Sequence, residues 1–227
     1  MNLSNIKIGN NFGSKFDKIF YGFNYMFFKI NTGVKLINYN RCVEYITKRP
    51  YEKFNDFLPK NLIIDVGAQY CDYSLVAAKK YNCDVIAFEP VKENYIISLE
   101  NIRINNMENK ITLYNDAVGS SSINGGISKN MFSSFSNGII FNTVSLDYII
   151  KENPYLIKID VEGFEMNVLN SMINLILKCK PKIIIETHSL KLFDDVNEFL
   201  KAFNYKLKHS VKSFGDEIKN NFYSVEN

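Results

Sequence analysis

From about Leu62 onward, short apolar runs alternate with amphipathic stretches. Leu62–Val66, Asp84–Phe88 and Ile111–Tyr114 read as buried strands, because each is a compact apolar run flanked by polar or turn residues. Between them, Asp72–Lys80 carries Leu75, Val76 and Ala78, and Glu93–Asn105 carries Tyr95, Leu99 and Ile102 at helical spacing, so two helices are expected. Further on, the pattern predicts a strand at Tyr155–Ile159 and one continuous helix over Glu165–Lys178 with Leu169, Met172 and Ile176 inward. Then come a strand at Pro181–Glu186 and a helix at Asp194–Phe203 with Val196, Phe199, Leu200 and Phe203 on one face. Tyr205–His209 and Phe222–Val225 read as two strands joined near Ser213-Phe214-Gly215, an antiparallel edge. Continuous apolar strands separated by helices predict a parallel sheet covered on both faces.

Two segments depart from the alternation. Gly119 to Asn142 is rich in Ser, Gly and Asn with Met131, Phe132 and Phe135 among them, and a loop of that length inside a domain is usually functional or partly structured. The first sixty or so residues are dense in aromatics ("FDKIFYGFNYMFFKI") and are punctuated by Pro50 and Pro59. They are expected to form a helical or mixed cap, residues 1–58, packed on a ligand-binding domain of residues 59–227. A membrane-surface helix is the sharper alternative, but aromatic stripes are more often core.

Composition narrows the classes. The chain has 227 residues, 46% hydrophobic and 22% charged, with a formal net charge of +3. That bias is too weak to argue for nucleic acid or an anionic membrane. Cys42, Cys71, Cys83 and Cys179 have no C-x-x-C spacing and only His188 and His209 to help them, which speaks against zinc and for free thiols in a reducing compartment. No leader peptide and no membrane span is read, so a cytoplasmic location is expected.

The chemistry is expected at the carboxyl ends of the strands, where open parallel sheets bind ligands. Asp65, Glu89, Asp116, Asp160 and Glu186 each stand at or beside such an end. One acid in such a place is an ordinary helix cap, but five in register are harder to dismiss. The first loop, "IIDVGAQYCDYS", has a single glycine, Gly67, where a dinucleotide fold needs several to approach a pyrophosphate. An acid with one glycine suits a cationic, phosphate-free nucleoside, and S-adenosyl-L-methionine fits. Glu89 would take its ribose hydroxyls, while Asp116 and the backbone N–H of Ala117 would meet the adenine. In "YLIKIDVEGFEMNVL", Lys158 lies within an apolar strand and needs an acid partner, and Asp160, Glu162 and Glu165 crowd the turn around Gly163.

Taken together, "IIDVGAQYCDYS", "VIAFEPVKENYIISLENIRINN", "DAVGS", "TVSLDYI", "LIKIDVEGFEMNVL" and "IIIETH" resemble the FkbM family of S-adenosylmethionine-dependent methyltransferases, from about Asn61 to His188. The resemblance implies a class I, Rossmann-like α/β fold: a mostly parallel seven-stranded sheet with helices on both faces and one antiparallel strand near its edge. It also implies O-methylation of a sugar, glycan or natural-product hydroxyl. Asp65, Gly67, Ala68, Gln69, Tyr70 and Ser74 fall in the first cofactor loop and its helix, Glu89 in the ribose site, Asp116 and Ala117 in the adenine site, and Asp160 and Glu162 at the reaction centre. One departure stands out. The family loop reads D-V-G-A-N-x-G, and Gln69 and Cys71 replace its Asn and second Gly.

Methyl transfer needs the acceptor aligned and its proton removed, and Asp160, Glu162 and His188 are the candidates for that work. A divalent ion held by Asp160, Glu162 and Glu186 would also activate a diol, which the acids permit but their spacing does not require. The expected partner is a small-molecule or glycan acceptor. Two rivals remain open: a catalytically inactive cofactor-binding module, favoured by Cys71, and a nicotinamide-dependent oxidoreductase, disfavoured by the missing glycines.

Overall fold

The computed structural model describes residues 15–37, 50–120, 143–213 and 218–226, with side chains from Asn24 onward in the first helix. Residues 121–142 of the Ser/Gly/Asn-rich stretch, with Met131, Phe132 and Phe135, lie outside the described residues, as do Cys42 and residues 214–217, where the sequence places a turn.

Seven strands form one sheet. In chain order they are β1 (Leu62–Val66), β2 (Asp84–Phe88), β3 (Ile111–Tyr114), β6 (Leu156–Ile159), β7 (Lys182–Thr187), β8 (Tyr205–Lys212) and β9 (Lys219–Val225). Their order across the sheet is β3-β2-β1-β6-β7-β9-β8, and the sequence reverses direction at β1, where β2 lies on one side and β6 on the other. All neighbours are parallel except that β9 runs antiparallel to both β7 and β8. The predicted hairpin therefore exists, but its second strand is inserted inside the sheet and β8 forms the edge. Two short strands, β4 (Ala117–Val118) and β5 (Thr143–Val144), make a separate parallel pair that the apolar pattern did not reveal.

The helices are α1 (Lys15–Thr32), α2 (Asp72–Tyr81), α3 (Lys92–Ile104), α4 (Leu146–Ile149), α5 (Glu165–Asn170), α6 (Ile173–Cys179) and α7 (Leu190–Ala202). Alternate strand residues feed two cores, as the two-residue period of a strand requires. Ile63, Ala87, Leu156 and Ile184 pack with α2, α3 and the amino-terminal segment. Ile64, Phe88, Ile157 and Ile185 pack with α5, α6 and α7.

Three details correct the sequence expectations. The single helix over Glu165–Lys178 is broken at Ser171–Met172, because Asp147 caps the second piece. Its carboxylate accepts from the backbone N–H groups of Asn174 and Leu175, both at 2.9 Å. The inner face of α3 is Ile97, Ser98, Asn101 and Ile102, while Leu99 is exposed. Finally, α7 begins at Leu190 rather than Asp194, with the Ser189 hydroxyl accepting from Leu192 N–H at 3.1 Å as its cap.

The polar inner face of α3 has a purpose. Ser98 Oγ donates to the Gln69 carbonyl at 2.6 Å, and Asn101 Nδ2 to that of Tyr70 at 3.0 Å, so α3 grips the loop after β1. Asn101 and Asn105 also accept from the backbone of Ile37 and Lys35 at 2.8 and 2.9 Å, laying the segment after α1 along the same helix. The amino-terminal region thus packs on the helix layer, and its later part, around Tyr51, reaches the carboxyl rim of the sheet. Among the described residues no helix is long and apolar enough to cross a membrane.

Candidate active site

The strand ends are tied to each other by backbone bonds. Gly67 and Ala68 N–H both donate to the Phe88 carbonyl at 3.0 Å, Glu89 N–H to that of Tyr114 at 3.0 Å, and Asp160 N–H to that of Val66 at 3.0 Å. Asn115 Nδ2 adds bonds to the carbonyls of Glu89 and Pro90 at 2.9 and 3.1 Å. These ties bring the ends of β1, β2, β3 and β6 to one rim.

The first group gathers at the β1 loop. Asp65 is fully buried, accepts from Ser74 Oγ at 2.6 Å and pairs with Lys158 Nζ at 3.1 Å, its register partner on β6. Lys158 also donates to the Gly67 carbonyl at 2.9 Å and lies 3.6 Å from Asp160. Burial disfavours the ammonium, but Asp65 and Asp160 outweigh it and hold Lys158 charged well above its ordinary range. Asp65 and Ser74 thus sit beneath the loop as its support.

Gly67 has φ +80°, and a side chain there would run into the backbone of Asp160. Its lack of a Cβ is demanded by that neighbouring strand end. Ala68 and Tyr70 are buried, Gln69 is exposed, and Gln69 and Cys71 both have positive φ, at 49° and 58°. The Cys71 thiol is buried, which pushes its pKa up and makes it inert rather than reactive.

Glu89, 4% exposed, accepts from Gln69 N–H at 2.8 Å, from Val91 N–H at 2.9 Å and from Asn94 Nδ2 at 3.3 Å. Burial raises its carboxyl pKa to about 7 despite those donors. Asp116 is half-buried, in the bend between β3 and β4, and Ala117 begins β4.

The second group is denser. Asp160 and Glu186 stand at the ends of adjacent strands, one step beyond and level with the Ile159–Ile185 register pair. Tyr51 Oη donates to Asp160 Oδ2 at 2.9 Å, from a ring that is itself buried. His188 Nδ1 donates to Glu165 Oε1 at 2.8 Å, and its Nε2 lies 3.4 Å from Glu162 Oε2 and 3.9 Å from Glu186 Oε2. Glu165 is fully buried and also accepts from Gly163 N–H at 3.1 Å. Glu162 has φ 54°, an unusual backbone for a residue with a side chain, which aims its carboxylate at the same ring. Asn220 Nδ2, from β9, donates to Glu186 Oε1 at 3.1 Å.

The charges of this group diverge. Burial and the Asp160 charge raise Glu186 to about 8. Burial would raise Asp160 too, but Lys158, Glu186, His188 and Tyr51 together hold its pKa below the ordinary value. For His188, burial opposes the proton, yet Glu165, Glu162 and Asp160 raise its pKa to about 9. At neutral pH the group is therefore an ionised Asp160, a protonated Glu186 and an imidazolium. Separated pKa values among neighbouring groups are a mark of functional sites.

The predicted site residues lie at the carboxyl rim or in the loops that leave it, except Ser74, which is in the first turn of α2. Sequence reasoning had Glu186 among the strand-end acids and possible ion ligands, and Lys158 and Glu165 at the same strand and turn, but it did not place Tyr51 among the functional residues. Lys158 and Glu186 had a signal, a charge within an apolar strand, but Tyr51 gave none. The described hollow of about 550 Å³, bounded by Pro59, Asn61, Tyr81, Asn82 and Asp84, is at the opposite ends of the strands.

Residues 65–207 match the sequence model described as the methyltransferase FkbM domain. The chain belongs to the FkbM methyltransferase family. Among solved structures, FkbM from Methylobacillus flagellatus KT is similar with a TM-score of 0.60 and 18% identity, over 88% of this chain and 58% of that one. The chain thus spans a little over half the length of that relative. Ribosomal protein L11 methylase from Lactobacillus delbrueckii subsp. bulgaricus gives a TM-score of 0.55 at 12% identity, covering 86% of this chain and 83% of that one. A Streptococcus pneumoniae protein assigned as a tRNA (m1A22) methyltransferase, in complex with S-adenosyl-L-methionine, gives 0.53 at 12% identity, with coverages of 74% and 68%. At these identities the likeness is one of fold. No curated protein matches the sequence.

Proposed function

We propose that this FkbM-family chain transfers a methyl group from S-adenosyl-L-methionine to a hydroxyl of a sugar, glycan or natural-product acceptor. The observation that carries the reading is the convergence of carboxylates at the ends of β1, β2, β6 and β7 around a loop with no phosphate cradle. That donor set fits a cationic nucleoside: Glu89 is a buried carboxylate for the ribose, while Asp116 and Ala117 serve the adenine. The loop residues Gly67, Ala68, Gln69 and Tyr70, supported from below by Asp65 and Ser74, would hold the methionine portion. Bound there, S-adenosyl-L-methionine supplies an electrophilic methyl group.

The remaining work belongs to the protein. Asp160, ionised and with its side chain 22% exposed, orients the acceptor hydroxyl and takes its proton, with the exposed Glu162 beside it. His188 carries its own proton, so it donates a hydrogen bond and steadies negative charge on the acceptor oxygen. Residues 1–58 act as the acceptor-facing cap on a cofactor-binding domain of residues 59–227, a division supported by the reach of Tyr51 to Asp160. The free thiols Cys71, Cys83 and Cys179 suit the reducing cytoplasm.

Calorimetry with S-adenosyl-L-methionine and a labelled-methyl assay against hydroxylated acceptors test this. Glu89→Ala is expected to lose cofactor binding, and Asp160→Ala to keep binding and lose turnover. Normal binding and turnover in both variants would overturn the assignment. A second reading, an inactive module, is favoured by the two strained loop positions at Gln69 and Cys71. Absence of cofactor binding by the unaltered protein would select it.

A further inference from the structure

We infer that Asp160, Glu186 and His188 form a site for a divalent first-row metal ion, built beside the acceptor position. One donor atom from each lies within 4.8 Å of the other two, and His188 Nε2 stands 3.9 Å from Glu186 Oε2. Three donors each about 2.1 Å from one ion lie about 3.0–3.4 Å apart in octahedral or tetrahedral geometry, so the side chains close on it by up to about 1.5 Å. The three come from rigid positions: Glu186 and His188 are two residues apart at the end of β7, and Asp160 is level with Glu186 on β6.

Two further observations point to a cation. The first is the state of the histidine. Its Nδ1 is held by Glu165, a carboxylate with no exposed surface, which leaves Nε2 facing Glu162 at 3.4 Å and Glu186 at 3.9 Å. A carboxylate on the far nitrogen is the usual support of a metal-binding imidazole, because it fixes the ring and the tautomer that leaves Nε2 free. The second is the charge inventory. The ammonium of Lys158 lies nearer Asp65, at 3.1 Å, than Asp160, at 3.6 Å. Among the ion pairs of the described residues, Glu186 has only His188. An ion bound here takes the place of the Nε2 proton of His188 and of the Glu186 carboxyl proton, and the two carboxylates then face it side by side while Lys158 stays drawn toward Asp65.

An imidazole with two carboxylates selects manganese, iron or zinc over calcium, and three protein donors leave coordination positions open. An acceptor hydroxyl, or two neighbouring ones, would fill them, and the ion would ease loss of the hydroxyl proton. Glu162, the ligand expected from the sequence, is more exposed than Glu186 and is the acid nearest Nε2, placed to join the ion as a fourth, outer donor. This inference deepens the acceptor half of the proposed function, but its test needs neither cofactor nor acceptor.

The test is a titration of chelator-treated protein with manganese chloride, following free Mn²⁺ by electron paramagnetic resonance, with zinc displacement as a check. One saturable ion per chain is expected. Glu186→Gln and His188→Gln should each weaken binding at least tenfold and Glu165→Gln by a smaller factor, while His209→Ala, at a separate stacked histidine, leaves it unchanged. No saturable binding of Mn²⁺ or Zn²⁺ by the unaltered protein overturns the proposal without reference to any variant. Binding that persists unchanged in Glu186→Gln and His188→Gln also overturns it. If the ion binds and S-adenosyl-L-methionine does not, the metal site stands and the methyl-transfer reading falls.

Discussion

The carbonyl oxygen of Asp160 occupies the space a Gly67 side chain would need: a Cβ on Gly67 would lie 1.8 Å from it. The loop after β1 and the end of β6 are packed backbone against backbone, and φ +80° at Gly67 adds a second demand for glycine. Gly67→Ala should therefore destabilise by about 2–4 kcal/mol, combining left-handed strain with overpacking. In a domain of this size that is a fall of roughly 5–15 °C in Tm. A melting temperature within two or so degrees of the parent would show that the close approach is not real.

Lys158 and Asp65 are both buried and each is the other's nearest opposite charge at 3.1 Å. Removing one partner strands the other, at a cost of about 3–5 kcal/mol. Lys158→Met should lose that much in urea denaturation, and adding Asp65→Asn should recover part of it. A double variant no more stable than the single would place the cost elsewhere, for instance in the lost bond to the Gly67 carbonyl.

Gln69 is exposed yet left-handed, at φ 49°. Asn tolerates that region better than other side chains with a Cβ. Gln69→Asn should raise stability by about 0.5 kcal/mol, or roughly 1–2 °C. Thermal melts that show a loss instead would mean the Gln69 side chain has a role in holding the loop.

Glu89 gives the fold a pH dependence. Its pKa is about 7 when folded and about 4.5 when unfolded, so between those values the folded chain holds a proton that the unfolded chain has released. The stability contributed by this group is present below about pH 4.5 and declines as pH rises toward 7. Chemical denaturation across pH 4.5–8 should show that slope together with one of the same sign from Glu186, and Glu89→Gln should make it shallower between pH 4.5 and 7 whatever its effect on absolute stability. Parallel pH profiles for the two proteins would rule out Glu89 as the source.

Parts of this were legible in the sequence because of their local chemistry. β1 and β2 are short, mostly apolar runs that suit a buried strand, whereas β3, read the same way, is the sheet's edge and only half-buried. The rim acids were legible because a strand's end is also where its apolar run ends. What was not legible depends on partners distant in the chain. The break at Ser171 needs Asp147, whose carboxylate caps the next helix. The inner face of α3 is polar because it binds the carbonyls of a loop some thirty residues earlier, which reverses the hydrophobic reading of Tyr95 and Leu99. Tyr51 reaches Asp160 across 109 positions, and one aromatic among many carries no mark of that bond.

The insertion of β9 between β7 and β8 has a consequence for biosynthesis. Glu186 takes its Asn220 partner from a strand made 34 residues later, so a nascent chain that has reached only β8 has an open flank at β7. In the finished sheet β9 fills that flank and carries β8 beside it. Assembly of the acidic pocket is thereby deferred until β9 has left the ribosome, and a half-made copy has no finished site with which to sequester a ligand.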